Sequence, residues 1–387
     1  MITGAVICEF NPFHRGHKYL LEQMKKDGCD CIVAIMSGSF TQRGDVAVFS
    51  KFSRTRSALR CGANIVIELP AVWATSSAQR FAKGGCDIIR ALGGINRVYF
   101  GSECGNIGLL KAAADATEDI RVQEITKALM EQGEYYPSAV QKAVREIYGD
   151  DISDILSSPN NTLGLEYIKS LKDTDIDLRT VTRAGAGHHS TLVTDGFASA
   201  SLIRERIREG DEYKGLLPCL PDDIDNPAFT QQGDRALLLR LRQMSPEEYE
   251  NIPDVSEGLH NRIYEAARKC NTSEEILEKV KTKRYTHSRL RRILTCALLG
   301  ITKDMQKNNV PYIRVLGFDP RGEEFLKIAK NSCALPFVIN VAAGYAELHE
   351  DAREIFDIDI KATDIRTIFE KTPSPCGEDF TSRLIKI

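Results

Sequence analysis

Two histidines three residues apart, His14 and His17, bracket Arg15 and Gly16 in the run Phe10-Asn11-Pro12-Phe13-His14-Arg15-Gly16-His17. The run sits where a β-branched stretch, Ile2 to Glu9, gives way to an amphipathic one, Gly16 to Lys26. At a helix start, a spacing of three puts both imidazoles on one side. Gly16 lets the backbone approach a ligand closely, and the unpaired N–H groups and positive dipole end of the helix favour phosphate. Two imidazole donors beside them strengthen an anion site. Two solvated loop histidines are the bland alternative, which the position at a strand-to-helix switch argues against. A metal pair is the other rival, and it lacks third and fourth ligands at a useful spacing.

A second candidate is the run Lys279 to Arg292, which carries seven formal positive charges plus His287 and no acid. A solvated helix face normally interleaves acids, so this run reads as a phosphate-backbone contact with Tyr285 available for stacking. The acidic stretch Asp222 to Asp225 reads as linker. A third candidate, Gly38-Ser39-Phe40-Thr41-Gln42-Arg43-Gly44, is a polar loop followed by Lys51, Arg54, Arg56 and Arg60. It is either a solvated surface or a loop that covers a reactive intermediate.

These residues need a scaffold. Ile2 to Glu9, Cys31 to Met36, Ile65 to Leu69, Arg97 to Phe100 and Leu178 to Thr182 read as strands alternating with amphipathic stretches, the rhythm of a parallel sheet. Gly28 stops the first helix, and Ser199 caps another that runs to Arg208. In open α/β sheets ligands bind outside the carboxyl ends of the strands, which is where His14 and His17 fall. The stretch Leu217 to Phe229, with three prolines and three aspartates, reads as a boundary. Beyond it the pattern is helical to about residue 300, and then mixed, with strands at Ile313 to Leu316 and Phe337 to Val341 around a Glu323 to Lys330 helix. The expected division is an α/β catalytic domain at 1–215, a helical, basic domain at 216–310 and a mixed α/β segment at 311–387.

Composition sets the outer limits. The chain has 387 residues, with 51 Lys plus Arg against 54 Asp plus Glu, so a polyanion site must be a local cluster. Eleven scattered cysteines without a CxxC pair read as reduced thiols. The first residues lack a basic n-region and a long apolar h-region, and no uninterrupted apolar stretch approaches 18 residues. Cytoplasmic location, with no membrane association, follows as the expectation.

The run from Phe10 to His17 resembles the F-D-P-x-H-x-G-H signature of the HIGH-type nucleotidylyltransferase superfamily, with Asn11 in place of the usual Asp. Ser199-Ala200-Ser201-Leu202-Ile203-Arg204 is similar to that superfamily's triphosphate-holding S-S-T-x-I-R sequence. Four further segments resemble one family within it, the bacterial tRNA(Met) cytidine acetate ligases. They are Met36 to Gly44, Gly62 to Pro70, Ser158 to Gly164 and Arg183 to His189. The fold expected is therefore α/β, a Rossmann-like HIGH-type nucleotidylyltransferase domain with a parallel sheet, followed by a mainly α-helical C-terminal domain.

That resemblance implies activation of acetate by ATP as acetyl-adenylate, then acetyl transfer to N4 of the wobble cytidine of elongator tRNA(Met). It implies ATP as co-substrate, with Mg2+, and His14, His17 and Arg204 as catalytic residues. The implied ATP-binding set is Ile7, Cys8, Glu9, Phe10, Asn11, Pro12, Phe13, Gly16, Lys18, Leu20, Gly101, Asn160, Asn161, Arg183, Ser199 and Ser201. Lys281, Lys283, Arg284, Arg289, Arg291 and Arg292 are the expected tRNA contacts; no resident metal and no obligatory protein partner are expected. The competing reading is a small-molecule adenylyltransferase of the nicotinate mononucleotide or phosphopantetheine type. It leaves unused about 170 residues beyond the α/β domain, the basic run among them.

Overall fold

The computed structural model describes residues 1–182, 197–256, 258–282 and 285–387. The first half alternates as the sequence predicts: β1 (Thr3–Cys8), α1 (Arg15–Lys26), β2 (Cys31–Ser37), α2 (Lys51–Arg60), β3 (Ile65–Leu69), the short α3 (Ala71–Ala74), α4 (Ala78–Leu92) and β4 (Arg97–Ser102). Between β4 and β5 (Asp177–Thr182) lie five helices that the sequence reading did not resolve. They are α5 (Ile107–Glu118), α6 (Ile120–Glu131), α7 (Tyr136–Tyr148), α8 (Asp150–Ile155) and α9 (Pro159–Leu171).

After α10 (Ala200–Glu209) comes the helical part: α11 (Asp234–Gln243), α12 (Pro246–Glu250), α13 (Leu259–Lys269), α14 (Ser273–Val280) and α15 (His287–Leu299). The last segment holds β6 (Ile313–Phe318), α16 (Pro320–Ser332), β7 (Phe337–Val338), α17 (Val341–Glu347), α18 (Glu350–Arg366), α19 (Glu378–Thr381) and β8 (Ile385–Lys386). The expected strand at Phe337 to Val341 is only two residues long, because Asn340 caps α17.

The eight strands of the described residues form one sheet in the order β5-β4-β1-β2-β3-β6-β7, with β8 also on β6. The first five are parallel, and β6 runs antiparallel to β3, so the C-terminal segment extends the N-terminal sheet. Alternate residues of each strand feed two cores. Ala5, Ile7, Val33 and Ile35 face α4 and α9, while Val6, Ile32, Ala34 and Met36 face Leu21 and Met24 of α1 and Phe52 and Leu59 of α2. Burial on both faces is what a parallel sheet requires. The chain leaves β1 toward β2 on one side and returns through β4 on the other, which opens a crevice at the carboxyl ends of β1 and β4. Among the described residues no helix is long and apolar enough to cross a membrane.

Candidate nucleotide and RNA site

That crevice is a cavity of about 480 Å3. His14 is the N-cap of α1: its Nδ1 accepts from the Gly16 N–H at 3.0 Å, and the His14 N–H donates to Nδ1 of His17 at 3.3 Å. The two rings stack with centroids 3.7 Å apart. A nitrogen that accepts cannot carry the ring proton, so the neutral form of each imidazole holds its proton on Nε2. Gly16 is required here, because a Cβ would lie 2.9 Å from Cε1 of His14.

Arg204 reaches the same cavity from the first turns of α10, whose N-cap Ser199 accepts from the Leu202 N–H at 3.1 Å. Its guanidinium donates to the Asn11 carbonyl at 2.8 Å and to Ser201 Oγ at 3.2 Å. The Asn11 side chain in turn accepts from the Val48 N–H at 2.9 Å. One residue therefore ties the histidine turn to Arg204 and to the loop after β2. Glu9 is the single carboxylate among the described lining residues; burial pushes its pKa up, offset by the Gln42 N–H at 2.7 Å and the charges of Arg204 and Arg43. Burial also lowers the pKa of Arg204 and raises that of the Cys8 thiol well above its usual value.

The cavity brings together Ile7, Cys8, Glu9, Phe10, Asn11, His14, Gly16, His17, Leu20, Gly101, Asn160, Ser199, Ser201 and Arg204. It does not include four of the expected residues. Phe13 is packed in the core under α1, Pro12 is buried, and Lys18 is half-buried with Glu22 at 3.9 Å. Asn161 is buried and structural: Oδ1 accepts from the Glu103 and Cys104 N–H groups and Nδ2 donates to the Ile155 carbonyl. Of the Asn160-Asn161 pair it is thus Asn160, bonded to Glu103 at 2.6 Å, that faces the cavity. Arg183 lies outside the described residues.

Gln42, Arg43, Tyr19, Thr182 and Ser288 also line the cavity and were not in the expected set. The polar loop after β2 was the signal for Gln42 and Arg43. That loop is neither a solvated surface nor a detached cover. Arg54, 1% exposed, donates to the carbonyls of Glu9, Ser37, Gly38 and Phe49. Arg366, also buried, donates to those of Ala47 and Val48, and Thr295 Oγ1 donates to that of Gly44 at 2.6 Å. Desolvation lowers the Arg54 pKa to about 10, still far above neutrality, so the group remains a cation shared among carbonyl dipoles. The acidic linker is also more than spacer, since Asp223 accepts from the Ser50 N–H at 2.6 Å and Asp222 pairs with Arg56 at 3.0 Å.

The basic run is less free than its composition suggests. Lys283 and Arg284 lie outside the described residues. Arg289 donates to the Asp254 carbonyl at 2.7 Å and Arg292 to the Asp254 carboxylate at 3.0 Å, because α15 packs against the turn that carries Asp254. Arg292 also lines the nucleotide cavity. Tyr285 is 6% exposed and belongs to the core, so it is not a stacking platform. His287 lies 3.3 Å from Glu278 and near Glu274, so acids of α14 offset the positive end of the run. Lys281 is exposed, and Arg291 is half-buried with Asp45 at 3.8 Å.

Residues 1–379 match the HIGH Nucleotidyl Transferase family. The tRNA(Met) cytidine acetate ligase of Thermoanaerobacter sp. (strain X514) is 38% identical, with 99% of each chain covered. The enzyme of the same name from Clostridium tetani is 34% identical over the whole of both chains. The crystal structure of Thermotoga maritima TmcAL in its apo form superposes with a TM-score of 0.91 at 31% identity, covering 100% of both chains. The crystal structure of Thermotoga maritima TmcAL bound with alpha-thio ATP gives 0.90 at 31% identity, covering 100% of this chain and 99% of that one.

Proposed function

The chain belongs to the tRNA(Met) cytidine acetate ligase family of HIGH nucleotidyl transferases, and from that premise we propose a two-step reaction. An acetate oxygen attacks the α-phosphorus of ATP, the bond to the β-phosphate oxygen breaks, and pyrophosphate leaves. The N4 amine of the wobble cytidine of elongator tRNA(Met) then attacks the acyl carbon, the bond to AMP breaks, and the amine gives up one proton. The observation that carries the reading is the gathering of His14, His17 and Arg204 in one cavity, each held by a backbone or side-chain partner.

Acetate is already a nucleophile, so the protein needs to align it and to spread charge over fixed donors. The Nε2–H groups of His14 and His17 and the Arg204 guanidinium supply those donors. No covalent enzyme intermediate is required, and the raised pKa of Cys8 is in keeping with that, since it keeps this lining thiol protonated. A magnesium ion would arrive on the phosphates of ATP, and Glu9, the one carboxylate among the described lining residues, would be the protein group to help hold it. We assign residues 1–215 to activation and the basic helical part, 216–310, to tRNA, and place the enzyme in the cytoplasm. Relatives that match over their whole length, helical part included, favour this over a small-molecule adenylyltransferase.

Incubation with ATP and acetate without tRNA tests the first step. Acetate-dependent pyrophosphate release supports it, and ADP with inorganic phosphate as products would rule out adenylylation.

A further inference from the structure

A second cavity, of about 300 Å3, adjoins the nucleotide cleft, and Ser201 and Arg204 line both. An enzyme that does chemistry on a base takes it out of its stack and holds it in a pocket. In the ligase reading that base must lie next to the activated acyl group, beside Arg204. The second cavity has that position, and it has the volume for one pyrimidine nucleoside rather than a second ATP.

Its lining suits cytosine. One wall is apolar, with Leu277 and Leu294 buried and Phe229 half-buried. Arg208 and Arg291, exposed and half-buried, add positive charge for flanking phosphates. Among the described residues three carboxylates line this cavity, Asp45, Glu205 and Glu274; Glu205 and Glu274 are exposed, whereas Asp45 is half-buried and its place is fixed by its neighbour. Gly44 has a φ of +81°, and a Cβ there would come within 2.5 Å of the backbone of Arg291 and Arg292. Together with the bond from Thr295, this pins the loop to α15. Among the described residues the nearest cation to the Asp45 carboxylate is Arg291 at 3.8 Å, beyond hydrogen-bond reach, so the carboxylate keeps acceptor capacity there. Its charge is felt at both Arg204 and Glu9, which puts it on the side of the nucleotide cleft.

We propose that this cavity receives the extruded wobble cytidine, with Asp45 accepting a hydrogen bond from the N4 amino group and Phe229 against the face of the base. The proposal rests on the ligase reading and adds to it a base-specific pocket. A carboxylate accepts from the amino group of cytosine, whereas uracil turns a carbonyl oxygen toward it. The pocket therefore selects cytosine before any chemistry occurs.

The test uses the full chain, Asp45→Ala, Asp45→Asn and Gln231→Trp, the last an exposed rim residue whose enlargement narrows the cavity. Three readouts are compared: tRNA-independent pyrophosphate release, acetyl transfer to tRNA, and binding of synthetic anticodon stem-loops with cytidine or uridine at the wobble position. Wild type should prefer the cytidine stem-loop by about tenfold or more. Asp45→Ala should erase that preference and slow transfer to a similar extent, Asp45→Asn should recover part of both, and Gln231→Trp should weaken both stem-loops. Pyrophosphate release should persist in all three. Equal affinity of wild type for the two stem-loops overturns the proposal, as does wild-type transfer by folded Asp45→Ala. Loss of pyrophosphate release in parallel with transfer also overturns it, by assigning the cavity to ATP. If wild type releases no pyrophosphate with acetate, the activation reading fails by itself, and the stem-loop comparison still decides the pocket.

Discussion

Replacing Lys51 by methionine should cost about 3–5 kcal/mol of stability, the penalty for breaking a buried ion pair by removing one partner. Lys51 is fully buried, with Nζ 2.9 Å from both oxygens of Glu68 and 2.8 Å from Asp379. Arg314 completes the cluster at 3.0 Å from Glu68 and 2.6 Å from Asp379. Two cations and two carboxylates balance, and the cluster joins α2 and β3 to β6 and the C-terminal α19. Methionine fills similar volume but leaves two buried carboxylates against one guanidinium. Adding Glu68→Gln restores neutrality, so the double variant should regain a large part of the loss. Trp73, the only tryptophan and 1% exposed, reports unfolding by fluorescence in urea. A loss below about 1 kcal/mol, the worth of an exposed pair, or additive losses in the double variant, would refute the reasoning.

His14→Ala and His17→Ala should each lower acetate-dependent pyrophosphate release by on the order of a hundredfold with circular dichroism unchanged, and near-normal release by either would remove it from the site. Burial pushes the Asp359 pKa up to about 7, so the folded state holds an extra proton between about pH 4 and 7, and stability from this group falls as pH rises through that window. Asp359→Asn should therefore flatten the change in melting temperature between pH 5 and pH 8, and an unaltered slope would contradict the assignment. Lys281→Ala should weaken tRNA binding and reduce its log–log salt slope by about 0.7–0.9, whereas Arg292→Ala, which breaks the pair with Asp254, should lower the melting temperature as well. A salt slope identical to wild type would make Lys281 a solvated side chain.

The histidine turn was legible because its signals are local: strand, Gly16 and helix start are contiguous, and the Ser199 cap of α10 is visible for the same reason. What the sequence hid was decided by distant partners. Arg54 looks like part of a charged helix face, yet the carbonyls it meets belong to the ends of two strands and a loop. Asp223 looks like linker until Ser50 and Arg366 are brought to it. β6 reads as an isolated short strand, and only pairing with β3 makes it an extension of the first sheet. Tyr285 sits in a basic run but turns inward, since net charge in a segment does not say which face packs.

The most direct measurement is mass spectrometry of tRNA nucleosides after incubation of purified enzyme, ATP, isotope-labelled acetate and unmodified elongator tRNA(Met). Labelled N4-acetylcytidine at the wobble position, formed with AMP and pyrophosphate in equal amount, is the predicted result. Unlabelled tRNA under conditions where the enzyme consumes ATP, or label delivered to a small nucleotide instead, would contradict a tRNA acetate ligase.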